Sequence, residues 1–232
     1  RTAFEIAATE PGVQIITQAR VLNVRTLPTH AEVEFQDASA PDLPPQRLCA
    51  PLVVAADSRF SNTRRQLGMG AAITDFGRTV IVCRMRHELP HDDTAHECFG
   101  YERTLAILPL PSDWLDGQPQ CSAVVTADAE QARALLELPA EEFTAQVAAQ
   151  FGHRLGPMAL VGERHAYPLV AVYAQRFAGH RCALLGDAAV GMHPVTAHGY
   201  NLGLAGVERL TAALVSARQR GQDMGSADAL AP

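Results

Sequence analysis

The sequence contains no long apolar run and no cluster of basic residues. No stretch approaches the roughly 18 consecutive apolar residues that a membrane-spanning helix needs, so we expect no such helix. No secretory signal is visible either, and we therefore expect a cytoplasmic protein. The 232 residues carry a net charge of −6, and this acidic balance argues against nucleic acid as a partner.

Several familiar site patterns are also missing. The five cysteines are scattered and form no Cys-x-x-Cys pair, which is typical of reduced thiols in a cytoplasmic protein. His87, His91 and His96 lie close together, but in a polar stretch without cysteine or the helical spacing of a zinc site, so we predict no metal centre. The absence of a Gly-x-Ser-x-Gly motif argues against a serine hydrolase.

The most informative stretch begins with an apolar run that ends in Gly-Asp. Residues 182–185 predict a short buried strand. Gly186 lets the backbone approach a ligand closely, and Asp187 then stands at the carboxyl end of the strand, where open α/β sheets bind ligands. An ionised carboxylate at that place can accept strong hydrogen bonds from the hydroxyl groups of a polyol.

An amphipathic helix is predicted to follow from Tyr200. Its apolar and small residues fall on one helical face: Leu202, Gly206, Leu210, Ala213, Leu214 and Ala217. The free N–H groups at the start of this helix would stabilise negative charge on a ring held in the preceding loop. The alternative interpretation is a plain strand–loop–helix unit with a structural aspartate.

A second apolar run ends at Asp57 and leads into a short predicted helix. Ser61 is expected to cap the start of this helix, and Gly68 to mark its end. The helix carries Arg64 and Arg65. Taken alone, the pattern fits an ordinary capped helix with two solvated arginines equally well.

The two motifs together resemble those of the FAD-dependent aromatic hydroxylases of the para-hydroxybenzoate hydroxylase type, and most closely the branch that works in ubiquinone biosynthesis. The resemblance implies that Gly186 and Asp187 contact the ribityl chain of FAD. It implies that Asp57 and Arg64 also bind the cofactor. It places five further residues near the flavin ring: Pro194, Gly199, Tyr200, Asn201 and Leu202.

The loop before the helix supplies the candidate catalytic residues, which are His193, Pro194 and His198. Positions 58, 197 and 198 depart from the family pattern. The family has glycine where this chain has Ser58, so a turn that needs positive φ would be strained here. The family also reads Gly-Gln-Gly where this chain has Ala197 followed by histidine and glycine.

The resemblance implies an α/β (α+β) fold, the C-terminal part of an FAD-binding domain with an inserted, mostly antiparallel β-sheet substrate domain. We expect residues 1–70 and 163–232 to belong to the FAD domain and residues 71–162 to form the substrate-binding sheet. The last residues, from Ala227 on, are expected to be a frayed end or a truncation point. In the first part we predict strands at residues 13–16, 21–25, 32–35 and 52–55.

The resemblance also implies an activity. NAD(P)H reduces the bound FAD, the reduced flavin reacts with O₂, and the resulting C4a-hydroperoxide transfers hydroxyl to an aromatic ring. The implied substrate is an apolar quinone precursor, a polyprenyl phenol or benzoquinol of ubiquinone biosynthesis. Because such a molecule partitions into lipid, we expect contact with a membrane surface, peripheral to the inner membrane, or with a biosynthetic complex.

One element of this family is missing, the Gly-x-Gly-x-x-Gly turn that holds the ADP pyrophosphate. Gly68 and Gly70 lack the third glycine and do not follow a predicted strand. We therefore expect roughly one hundred residues, the size of a βαβ-rich unit, to precede Arg1. We also expect this chain alone to bind FAD poorly.

Two alternative functions stay open. A flavin halogenase or reductase could use the same scaffold, but a halogenase is expected to carry a catalytic lysine, and all 19 basic residues of this chain are arginines. The other alternative is a non-catalytic binding domain that has kept the fold and lost FAD. The departures at Ser58 and Ala197 would support it.

Overall fold

The computed structural model describes residues 2–113, 116–194 and 198–230. The chain divides into two compact units, which we call the first unit (residues 1–73 and 171–232) and the second unit (residues 74–170). The domain boundaries predicted from the sequence were 70/71 and 162/163. That the second unit binds substrate stays a prediction.

The first unit contains two small sheets and four helices among the described residues. Its elements are α1 (Thr2–Thr9), β1 (Ala19–Thr26), β2 (Ala31–Asp37), β3 (Gln46–Ala50), β4 (Val53–Ala55), α2 (Asn62–Gln66), β10 (Ala178–Gly179), β11 (Cys182–Leu184), β12 (Val190–Gly191), α5 (Gly199–Gln219) and α6 (Ala227–Leu230). One sheet has the antiparallel order β1-β2-β3, and the other has the order β10-β11-β4.

The pairing of β11 with β4 is the feature that positions the predicted site. The two strands run parallel, with Cys182 opposite Val53 and Leu184 opposite Ala55. Each strand leads into one of the two motifs. Because the carboxyl ends of parallel strands meet at one edge of a sheet, both motifs start from the same edge.

The second unit is a sheet covered on one face by two helices. Its elements are β5 (Ala71–His87), β6 (His96–Cys98), β7 (Thr104–Leu110), β8 (Gln120–Asp128), α3 (Ala129–Glu137), α4 (Ala140–Gln150) and β9 (Met158–Ala174), of which β5 starts and β9 ends among residues of the first unit. The strand order is β9-β5-β8-β7-β6, and β8 pairs antiparallel with both β5 and β7.

Alternation along β8 builds the core of the second unit. Every second residue from Cys121 to Ala127 is buried, as expected for a strand with one face in the core. Phe143 and Val147 of α4 pack into the same cluster, together with Phe151 just after the helix. The predicted mixed α/β fold with antiparallel sheets is thereby confirmed.

Two local predictions were wrong. Residues 13–16 form no strand: Val13 and Ile16 are exposed, and the amide of Val13 donates locally to the carbonyl of Glu10 (3.0 Å) and not to a partner strand. The end of the chain is not frayed at residues 227–230, which form α6. Ala229 and Leu230 of this helix are buried, and the Ser226 hydroxyl accepts a hydrogen bond from the amide of Ala229 (3.2 Å).

Arg181 fixes the segment between α5 and α6. Its buried side chain donates from Nε to the carbonyl of Pro28 (3.0 Å) and from Nη1 to the carbonyl of Pro51 (2.9 Å). It also forms an ion pair with Asp223, and this hydrogen bond lowers the pKa of the Asp223 carboxyl. The loop after α5 is thus tied to the turns that precede β2 and β4.

The described residues include no helix that is both long and apolar enough to cross a lipid bilayer.

The burial of three thiols predicts a pattern of cysteine reactivity. Burial raises the pKa of Cys83 to about 11 and that of Cys121 to about 12, and it also raises the pKa of Cys182. Cys49 is exposed. Because the thiolate is the reactive form, we expect a disulfide reagent at about pH 8 to label Cys49 first. It should reach Cys83, Cys121 and Cys182 only after denaturant is added. Mass spectrometry of the labelled native protein measures this order, and equally fast labelling of Cys121 would contradict it.

Candidate active site

Both motifs begin where neighbouring strands end. The amide of Leu185 continues the pairing of β11 with β4 by donating to the carbonyl of Ala55 (2.9 Å). Asp57 follows β4 by two residues, and Asp187 follows β11 by three. Two acidic residues that are far apart in the sequence therefore leave the same sheet edge, as the ligand-binding edge of an α/β sheet requires.

The Gly-Asp motif forms a single 3₁₀ turn, Gly186–Ala188, directly after β11. Gly186 has a φ of +55°, the left-handed conformation that favours glycine. Ala188 is fully buried, whereas the side chain of Asp187 is 41% exposed. The turn therefore presents a carboxylate to solvent from a firmly packed backbone.

Ser61 caps α2, as the sequence predicts. Its hydroxyl accepts a hydrogen bond from the amide of Arg64 (2.9 Å) and donates to the Asp57 carboxylate (2.5 Å). The amide of Thr63 also donates to Asp57 (3.2 Å). Burial raises the pKa of Asp57, but the hydrogen bonds from Ser61 and Thr63 outweigh it and bring the pKa below its usual value. Asp57 is thus an ionised group that orders the start of α2, and its contact with a cofactor stays a prediction.

Arg64 joins the two motifs. Its side chain is buried, and its Nη1 donates to the carbonyl of Ala188 (2.8 Å) in the Gly-Asp turn. Nη1 and Nη2 also donate to the carbonyl of Arg59 (3.2 and 3.1 Å). A buried guanidinium is tolerated only when its N–H groups are hydrogen-bonded, and here backbone oxygens serve that purpose. The structure thus gives Arg64 a supporting role that the sequence did not predict, while direct contact with FAD stays a prediction.

Arg59 is a site residue that the sequence interpretation missed. Its Nη2 and Nε both donate to Oδ2 of Asp187, at 2.9 and 3.1 Å. The two residues are 128 positions apart, so no local pattern predicts the pair. The available signal was the place of Arg59 in the second motif, directly after Ser58, at the sheet edge where Asp187 was expected.

Helix α5 starts beside the Gly-Asp turn. Its N-cap residue, His198, makes no side-chain capping hydrogen bond, and the first turn holds no acidic residue. A Cβ atom on Gly203 would lie 3.7 Å from the Cα of Gly186, and one on Gly206 would lie 3.2 Å from Leu185. These small residues let the helix pack closely, near its start, against the turn that carries Asp187.

A cavity of about 730 Å³ adjoins the turn on the α5 side. Of the predicted cofactor residues, only Gly186 and Leu202 line it. Its walls otherwise come from apolar residues and two arginines: Tyr173, Arg176, Phe177, Ala178, Gly179, Ala183, Leu184, Leu185, Ala189, Val190, Gly203, Ala205, Gly206, Arg209, Leu210, Ala213, Ala227 and Leu230.

The remaining predicted residues lie on both sides of a segment outside the described residues. His193 is half-buried and Pro194 is exposed; Ala197 falls within the segment 195–197, which is not described. Gly199, Tyr200, Asn201 and Leu202 form the first turn of α5, and Tyr200 is 77% exposed. The roles of His193, Pro194 and His198 stay predictions.

The departure at Ser58 causes no backbone strain. Ser58 is not among the non-glycine residues with positive φ in the described part of the chain. The loop from β4 to α2 therefore does not need a glycine at this position.

One group of metal-ligating side chains lies elsewhere in the first unit. Ligand atoms of His30, Glu32 and Cys49 lie within 4.8 Å of one another. Arg25 donates to Glu32 at 2.6 Å and lowers its pKa, and Arg47 lies 4.0 Å from the same carboxylate. Because two guanidinium groups already balance this carboxylate, we assign no metal to the group.

The chain matches a known family and curated proteins along nearly its whole length. Residues 2–225 match the family described as FAD binding domain. Ubiquinone hydroxylase UbiM of Neisseria meningitidis is 44% identical over 230 residues, and ubiquinone hydroxylase UbiL of Rhodospirillum rubrum is 37% identical over 221 residues. The alignments cover 99% and 95% of this chain but 47% and 48% of those proteins. The chain thus spans about half the length of the curated relatives it matches.

Solved structures show the same fold. Pseudomonas aeruginosa PqsL in complex with 2-aminobenzoylacetate superimposes with a TM-score of 0.73 at 19% identity, over 94% of this chain and 59% of that one. The flavin-dependent halogenase CmlS superimposes with a TM-score of 0.73 at 17% identity, over 94% of this chain and 39% of that one. The resemblance inferred from the two motifs is confirmed.

Replacing Arg64 tests its role as the link between the motifs. We expect Arg64→Met to lower the free energy of unfolding by about 2–3 kcal/mol, because the buried carbonyl of Ala188 and the partly buried carbonyl of Arg59 lose a charged donor. Arg65→Met is the matched control, since Arg65 is an exposed arginine on the same helix that bonds only locally to Asn62 among the hydrogen bonds described; we expect a change within about 0.5 kcal/mol. Urea unfolding measures both, and equal effects would contradict the assignment.

Proposed function

Because the chain belongs to the FAD-binding domain family, we propose that it forms the flavin-contacting part of an FAD-dependent monooxygenase that hydroxylates the aromatic ring of a polyprenyl phenol or benzoquinol in ubiquinone biosynthesis. The observation that carries this proposal is the sheet edge where the partly exposed Asp187 carboxylate leaves a turn against which α5 packs near its start. The identity to two ubiquinone hydroxylases supports the choice of substrate class.

The residues present fit FAD. The hydroxyl groups of the ribityl chain need hydrogen-bond acceptors, and the partly exposed Asp187 carboxylate is one. Gly186 carries no side chain in this turn, so a ligand can approach the backbone closely. The flavin ring gains negative charge when it is reduced, and the N–H groups and positive dipole end at the start of α5 suit such charge. When bound, FAD would supply the redox and oxygen chemistry, with NAD(P)H as reductant and O₂ as co-substrate.

The protein's own contribution is then positioning and electrostatics. Asp187 accepts hydrogen bonds from hydroxyl groups and fixes the cofactor along the sheet edge. The first turn of α5, residues 199–202, stabilises negative charge, and its exposed side chains are available to cover the ring. His193, Pro194 and His198 flank the same loop and are the candidates for contact with ring or substrate, where they would exclude water.

Replacing Asp187 tests the cofactor site. We expect Asp187→Ala to weaken FAD binding by about 1–3 kcal/mol, because a charged hydrogen-bond acceptor is lost. Asp42→Ala removes an exposed carboxylate from a loop between β2 and β3 and should leave the affinity unchanged. Fluorescence titration of the intact purified protein measures the affinities, and the visible absorption of the wild-type complex shows whether flavin is held. A colourless protein that FAD cannot saturate would overturn the proposal in favour of a binding domain without cofactor.

The reaction is tested in cells that lack the gene. We expect a quinone precursor that is short of one ring hydroxyl to accumulate, and mass spectrometry of the lipid extract identifies it by the missing oxygen. The wild-type gene should restore the hydroxylated product, and the Asp187→Ala variant should restore less of it. An unchanged quinone pool after deletion would contradict the substrate assignment.

Peripheral membrane contact belongs to the same proposal, since a polyprenylated substrate resides in lipid. We expect part of the purified protein to float with liposomes that contain such a substrate. The net charge of −6 gives no electrostatic attraction to anionic lipid, so the fraction of protein that floats should change little when anionic lipid is added. Recovery only in the aqueous fraction, with substrate still turned over in the absence of a partner protein, would contradict this contact.

A further inference from the structure

We propose that Arg59 is a positioning residue for Asp187: its guanidinium holds the carboxylate in one orientation and balances its charge where FAD binds. This inference rests on the proposed function. Arg59 lies in the second motif but is not among the cofactor ligands predicted from the sequence. Its role follows from the contacts that anchor it.

The hydrogen bonds between the two side chains are directional. Nε and Nη2 of Arg59 both donate to the same oxygen of Asp187, Oδ2. Two donors on one oxygen limit rotation of the carboxylate, which a side chain 41% exposed would otherwise sample freely. A carboxylate whose orientation is already fixed loses little further conformational entropy when it binds a ligand hydroxyl.

The backbone of Arg59 is itself held in place. Arg64 donates to the Arg59 carbonyl from both of its terminal nitrogens. On the other side, a Cβ atom on Gly191 would lie 2.9 Å from the Cβ of Arg59, so the glycine makes the room that the arginine stem occupies. Arg59 is therefore a built part of this edge, and its guanidinium reaches Asp187 from a fixed starting point.

The charge of Arg59 matters because FAD is an anion. Without a cation beside it, the Asp187 carboxylate would repel the phosphates and the reduced ring of the cofactor. Arginine stays charged at every pH of interest, so the balance does not depend on titration. The side chain of Arg59 is 30% exposed, close enough to solvent that added salt weakens the effect without removing it.

The test is a double-mutant cycle on the intact purified protein, with FAD as the ligand. The variants are Arg59→Met, Arg59→Lys, Asp187→Asn and the double variant Arg59→Met with Asp187→Asn. Arg65→Met is the matched control for loss of one positive charge near the motif. Fluorescence titration measures the dissociation constant of FAD, and the visible spectrum of the bound flavin reports changes at the ring.

We expect Arg59→Met to weaken FAD binding about tenfold, the loss of one charged hydrogen-bonding partner, and Arg65→Met to change it less than about twofold. Arg59→Lys should fall between them, because it keeps the charge but not the two-donor geometry. In the Asp187→Asn background, the Arg59→Met change should have little further effect, since the group it positions is gone.

Three outcomes would overturn the inference. One is an Arg59→Met affinity equal to that of Arg65→Met. Another is an Arg59→Met loss that is the same with and without the Asp187 carboxylate, since a merely structural role predicts additivity. The third is tighter binding by Arg59→Met, which would mean that the ion pair competes with FAD. If Arg59→Met does not fold, the same cycle is run with Arg59→Lys. A wild-type protein that binds no FAD would instead overturn the proposed function, so the two failures are distinguishable.

Discussion

The buried guanidinium of Arg64 holds the Gly-Asp turn against helix α2. It donates to the carbonyl of Ala188, 124 residues further along the chain, and to the carbonyl of Arg59 in its own loop. Hydrogen bonds from a charged donor are stronger than neutral ones, and burial removes the water that would compete for them. The place of Asp187, and therefore of any ligand that it binds, depends on this contact.

Small residues, together with the hydrogen bond from Arg64 to Ala188, determine the shape of this edge. Gly186 turns the chain with a positive φ, and the buried Ala188 leaves no side chain beneath the turn. Gly203 lets the first turn of α5 approach closely. The result is an edge with two opposite features side by side: an acceptor for hydroxyl groups and a helix end that favours negative charge. A flavin nucleotide needs both, because it carries a polyol chain and a ring that becomes anionic on reduction.

The local parts of this site were predictable from the sequence. Ser61 caps α2 because a serine at that position satisfies a free amide, and this requires only its neighbours in the chain. The strand before Gly186 follows in the same way from a short apolar run. The Arg59–Asp187 ion pair and the Arg64–Ala188 hydrogen bond were not predictable. Both join residues far apart in sequence and depend on the parallel register of β4 and β11. The strand that was predicted at residues 13–16 and is absent shows the converse, since an apolar run forms a strand only where a partner strand exists.

A crystal structure of the intact protein grown with FAD is the most direct test of this account. We expect the Arg64 guanidinium to lie within hydrogen-bond distance of the Ala188 carbonyl, the ribityl chain to contact the Asp187 carboxylate, and the flavin ring to lie at the start of α5. An Arg64 side chain that points into solvent, with the Gly-Asp turn unchanged, would contradict the central role of the Arg64–Ala188 hydrogen bond. A flavin bound away from this sheet edge would contradict the site itself.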